Sequence, residues 1–94
     1  MSVFKPTREE RDLLQKAVTK FAHDPSKARL LGRLALDDAE YQLGSEEWNT
    51  LKISIEQYHL HAQTEVRRDP NRKAAKLLFV KADALVRKFR PNFS

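Results

Sequence analysis

His59 and His61 are a pair of residues whose types suggest chemistry, since two imidazoles can hold a metal or shuttle a proton. Two positions apart on a helix, they point about 200° away from each other. Zinc sites on helices use spacings of three or four, so ordinary surface or boundary histidines are the expectation, with no metal and no cofactor. Asp37, Asp38, Glu40, Glu46 and Glu47 form an acidic stretch without an intervening Lys or Arg. Paired carboxylates can act as acid and base or bind Mg²⁺. Here Glu46 and Glu47 stand where a helix begins, and a solvated acidic corner is the simpler reading. Ser2, Ser26, Ser45, Ser54 and Ser94 lie in no nucleophile-elbow context, and no glycine-rich loop could cradle a phosphate. No catalytic residue is expected, and the chain reads as a non-enzyme.

The remaining chemistry is cationic. Residues 67–94 hold nine Lys and Arg against Asp69 and Asp83, a balance of +7, whereas residues 1–66 hold nine against eleven acids, a balance of −2. On a helical projection Arg72, Lys76, Arg87 and Arg90 fall within about 60° of one another, with Lys73 close by. Arg67 and Arg68 extend the field at one end and Lys88 broadens it at the other, while Asp83 interrupts it. A guanidinium fork donates two parallel hydrogen bonds to phosphate or carboxylate, so such a face suits an anionic partner: nucleic acid, an acidic membrane surface or an acidic protein. A solvated outer face is the competing reading, because any helix packed by one side needs soluble residues on the other. No aromatic outside the inward stripe is interleaved with the cations, which disfavours single-strand binding, and no helix-turn-helix pattern emerges.

The elements that position these residues are helices. Thr7 and Glu10 form a capping-box pair ahead of Leu13, Leu14, Ala17, Val18, Phe21 and Ala22, which predicts a helix over about 7–22. Asp24-Pro25 starts a second helix, over about 25–43, with Ala28, Leu31, Leu34, Ala35, Ala39 and Tyr41 inward. Gly44 is placed to end it in a left-handed conformation. Ser45 then caps a third helix over about 46–68, whose Trp48, Leu51, Ile55, Tyr58, Ala62 and Val66 step by three and four. Asp69-Pro70 opens a fourth, over about 70–90, with Ala74, Ala75, Leu78, Ala82, Leu85, Val86 and Phe89 inward, closed by Arg90-Pro91. The two Asp-Pro junctions lie 45 residues apart, but their flanks do not match and Asp-Pro is a common helix start, so chance explains the spacing better than duplication.

Ninety-four residues suit one domain with a thin core, and short connections favour antiparallel neighbours. The expectation is one all-α domain spanning 1–94, an antiparallel four-helix bundle of two helical hairpins. With no cysteine, no apolar leader and no apolar run near the ~20 residues a membrane span requires, the expected location is cytoplasmic.

In length, positive charge and number of helices the chain resembles the immunity proteins of pediocin-like bacteriocins. That resemblance implies a cytosolic antiparallel four-helix protein. The leading expectation from the residues is a small regulatory or interaction protein that docks an acidic protein or nucleic acid through Arg67, Arg68, Arg72, Lys73, Lys76, Arg87 and Arg90. An immunity-like role and a self-associating structural bundle, a homo-oligomer, are the alternatives.

Overall fold

The computed structural model describes residues 3–36 and 41–89. They form four helices, α1 (Arg8–Phe21), α2 (Ser26–Leu34), α3 (Ser45–Arg68) and α4 (Lys73–Phe89). Two short segments, β1 (Val3–Phe4) and β2 (Tyr41–Gln42), pair antiparallel, with Val3 opposite Gln42 and Phe4 opposite Tyr41. The fold is an all-α bundle. Val3 and Phe4, ahead of α1, are therefore tied to the segment ahead of α3.

α1 begins on the expected capping box. The Thr7 N–H donates to Glu10 Oε1 at 2.7 Å, and the Glu10 N–H donates to Thr7 Oγ1 at 3.2 Å. Two amides that a helix start would leave unpaired are thus satisfied reciprocally.

α2 departs from expectation in length and in phase. It ends at Leu34, nine residues short of the expected 43, and its buried residues are Ser26, Leu30 and Leu34. Leu31 is only half-buried, while Ala28 and Ala35 are exposed. Ala39 and the side chain of Tyr41 lie outside the described residues. The carbonyls at this end are met from α1: Gln15 Nε2 donates to the Leu34 carbonyl at 2.7 Å and Arg11 Nη1 to the Leu36 carbonyl at 2.9 Å. Carbonyls at a helix C-terminus have no partner within the helix, and here α1 supplies the donors. The chain then buries Leu43 completely and enters α3.

Gly44 does not sit in the left-handed region: with φ −73° and ψ 168° it is the N-cap of α3, and Ser45 is the first helical residue. Glu47 returns to it, accepting the Gly44 N–H at Oε1 at 3.3 Å. The other Glu47 oxygen takes Arg33 Nε at 2.8 Å, and the carboxylate is buried, only 5% of its side chain being exposed. The acidic corner is therefore not uniformly solvated. Glu46 is exposed, whereas Glu47 is a buried tie between α2 and α3, and Asp37, Asp38 and Glu40 lie outside the described residues.

Side-chain neighbours give the helix directions. Phe21 packs against Tyr58 and His61, so α1 runs in the same sense as α3. Lys27 reaches the Thr19 carbonyl and Gln15 that of Leu34, so α2 returns along α1. His59 meets Phe79 and Asp83, and Glu65 meets Arg72, so α4 returns along α3. The course is up, down, up, down, with α3 packed on all three other helices. Glu9–Lys81 at 3.0 Å and Glu10–Lys88 at 2.6 Å join α1 to α4.

The core has two parts. The larger gathers Leu14, Val18, Leu30, Leu34, Leu43, Leu51, Ile55, Leu85, Val86 and Phe89, with Trp48 packed against it. The smaller is Ala17, Tyr58, Ala62 and Ala82, flanked by Phe21, Leu78 and Phe79. Ala74, expected inward, is exposed. At 14 residues α1 is about 21 Å long, while α3 at 24 residues is about 36 Å. Past Ala62 the α3–α4 pair continues as a two-helix finger, in which Ala75 is the one buried residue between positions 63 and 78.

Candidate anion-binding face

The finger carries most of the cations singled out in the sequence. α3 ends on Arg67 and Arg68, with Asp69 as its C-cap. Basic residues in a last turn complement the negative end of the helix dipole. The Arg72 N–H donates to the Asp69 carbonyl at 3.2 Å, which closes the turn and delays α4 to Lys73, three residues later than expected. The same dipeptide acts differently at the first junction. There Asp24 Oδ1 accepts the Ser26 N–H at 2.8 Å and Oδ2 accepts the Thr50 hydroxyl at 2.6 Å, fixing the start of α2 to α3.

The turn at 69–72 brings Arg67, Arg68, Arg72, Lys73 and Lys76 to one end of the molecule, all exposed. Glu65 is the carboxylate beneath them, 3.9 Å from Arg68 Nη1 and 3.8 Å from Arg72 Nη1. Those separations are longer than a charge-assisted hydrogen bond, so both guanidiniums keep most of their donors for another acceptor. Arg67, Lys73 and Lys76 have no ion pair among the described residues.

Arg87 is not part of this cluster. It lies eleven residues beyond Lys76, about 16 Å along the helix, and its Nε pairs with Asp83 Oδ2 at 3.0 Å. His59 Nε2 lies 3.3 Å from the other Asp83 oxygen without making a hydrogen bond to it. The carboxylate that interrupts the stripe in sequence is therefore paired with a cation and flanked by an imidazole. Arg90 lies outside the described residues. Lys88 and Lys81 are committed to Glu10 and Glu9 across the α1–α4 seam.

The two neighbouring histidines face different helices, as their spacing requires. His59 stacks on Phe79 at a centroid distance of 5.4 Å, towards α4. His61 lies 5.9 Å from the Phe21 ring and 3.3 Å from Lys20 Nζ, towards α1. Among the described residues no three His, Cys, Asp or Glu side chains are grouped to hold a metal ion. Among them, too, no helix is long and apolar enough to cross a membrane.

Two features of this face escaped the sequence reading. Leu77 and Val80 are exposed at 56% and 62%, on the outer side of α4 among the cations. A heavier apolar stripe on the opposite side of the same helix masked them. Glu65 is shared by Arg68 of its own helix, an i,i+3 spacing readable in the sequence, and by Arg72 past the turn, a pairing that only the folded hairpin shows. Comparison of the chain with protein-family models, with curated proteins and with solved structures found no match.

Proposed function

We propose that this protein is a non-enzymatic interaction module of the cytoplasm that docks an anionic macromolecule through the α3–α4 finger and the outer side of α4. One observation carries the reading: five cationic side chains stand together at the finger tip, three of them without an ion pair among the described residues. Concentrated charge of one sign raises the encounter rate with an opposite surface and is costly to maintain without one. Arg67, Arg68, Arg72, Lys73 and Lys76 form the docking cluster, and Arg87 is a flanking contact.

The test is affinity against salt. If the cluster neutralises four or five phosphates of duplex DNA, log affinity falls with log salt at a slope near −4. Replacing Arg72 and Lys76 together by Ala then flattens the slope by about 2. An acidic polypeptide such as polyglutamate shows the same loss on mutation if carboxylates are the natural ligand. A double variant that matches the wild type towards both probes removes the basis of this reading.

A further inference from the structure

We infer that the outer side of α4 is a docking strip for an acidic amphipathic helix of a partner protein, a conclusion that rests on the anion-docking reading and narrows it. α4 is apolar on two sides. Its inward side buries Ala75, Ala82, Leu85, Val86 and Phe89 in the bundle. Its outward side presents Leu77, Val80 and Ala84, all exposed. These three are spaced by three and four, so they form one ridge about 10 Å long. Leu77 and Val80 are each more than half exposed.

Charge surrounds the ridge. Lys73 lies one turn before Leu77, Lys76 one turn before Val80, and Arg87 one turn after Ala84. Lys73 and Lys76 have no ion pair among the described residues, and Arg87 is 79% exposed beyond its pairing with Asp83. The recognition chemistry is therefore mixed: an apolar line that needs an apolar line, with cations on its borders that need carboxylates. A helix with Leu or Ile at steps of three and four and Glu or Asp on either side supplies both.

Other occupants fit less well. Nucleic acid would satisfy the cations but leave Leu77 and Val80 against phosphate and sugar, with no aromatic on the strip to stack a base. A second copy, packed antiparallel by two-fold symmetry, would set Lys73 and Lys76 of one chain near Arg87 of the other, like charge against like.

The experiment uses the full chain, labelled with ¹⁵N, and three probes. The first is a designed helical peptide of about 18 residues with Leu at steps of three and four and Glu along the flanks. The second is a shuffled isomer of identical composition, and the third a short DNA duplex. The patterned peptide should shift the amides of Leu77, Val80 and Ala84 and bind at least about tenfold more tightly than its isomer. Replacing Leu77 and Val80 together by Ser should weaken it by about ten- to hundredfold. Both sites are exposed, so the helical circular dichroism spectrum should be retained, and affinity for DNA should change by less than about twofold. Equal binding of the two peptides, an undiminished double variant, or no shift at millimolar peptide overturns the inference. If DNA or polyglutamate still binds through Arg72 and Lys76, the broader docking reading survives that failure; if neither does, both fall.

Discussion

The two ends of this bundle are built from different materials. Around the start of α3, Leu14, Leu30, Leu34, Leu43, Leu51, Leu85 and Phe89 fill an apolar core from four directions, and the buried Glu47 carboxylate ties α2 to α3. At the other end Ala17, Ala62, Ala75 and Ala82 let helices approach closely, and past Ala62 two helices continue without the other two. Leucines bury far more apolar area than alanines, so the first end supplies most of the stability. The second end buries little and exposes five cations. The leucine core and the five-cation cluster occupy opposite ends of one long helix.

The sharpest way to break the contrast is to hollow the leucine end. Leu51→Ala and Leu85→Ala should each cost about 2–5 kcal/mol in chemical denaturation, enough to unfold much of a marginal domain. Leu78→Ala, at the half-buried margin of the alanine end, should cost only about 1 kcal/mol. Equal losses at Leu51 and Leu78 would erase the distinction.

A middle-sized effect belongs to Asp24, whose carboxylate holds both the Ser26 amide and the Thr50 hydroxyl. Asp24→Ala should cost about 1–2 kcal/mol. Asp69→Ala should cost under about 0.5 kcal/mol, because its exposed side chain makes no hydrogen bond among the described residues. Thermal melts of the two variants, read side by side, test whether the two Asp-Pro junctions differ as the structure says.

Gly44→Ser should move stability the other way. The backbone there is extended with negative φ, and a Cβ would meet Glu47 Oε1 at 3.6 Å, an ordinary contact. A serine would add a capping oxygen and restrict the unfolded chain, a gain of about 0.5–1 kcal/mol. A loss would contradict the N-cap assignment.

The smallest effect is a pH dependence. Burial tends to raise the Glu10 pKa, but hydrogen bonds from Lys88 and from the Thr7 amide and hydroxyl outweigh it and bring the carboxyl below its ordinary 4.5. A lowered carboxylate contributes stability that is whole above that ordinary value and fades as pH falls through the folded one. Glu10→Gln should therefore narrow its gap to the wild type as pH falls below that ordinary value. A gap that stays constant through that range would remove Glu10 from the acid response.

Much of this was legible in the residues. The spacing of Leu51, Ile55, Tyr58 and Ala62 gave α3 to within a residue or two, because a long amphipathic stripe admits no other period. Thr7 and Glu10 gave the start of α1, because a capping box is a local device. The end of α2 was not legible. Ala35 and Leu36 are good helix formers, and the side chains that meet the carbonyls at this end, Gln15 and Arg11, come from some twenty residues earlier. Gly44 was misread for a related reason: once α2 stops short, the glycine belongs to the next helix. The basic face was legible as a composition but not as a shape. The projection grouped Arg87 with Arg72 and Lys76, and only the length of α4 and the Asp83 pairing separate them.

The way α2 is held also sets an order for folding. At nine residues it is too short to persist alone in water, and the donors for its final carbonyls come from α1. It has little reason to form until α1 is in place. The α3–α4 hairpin needs only a four-residue turn and contacts close in sequence, the kind of structure that closes early. The chain should therefore assemble from its C-terminal half, with α2 docking last. Amide exchange in α2 should then report local opening well before the molecule as a whole unfolds.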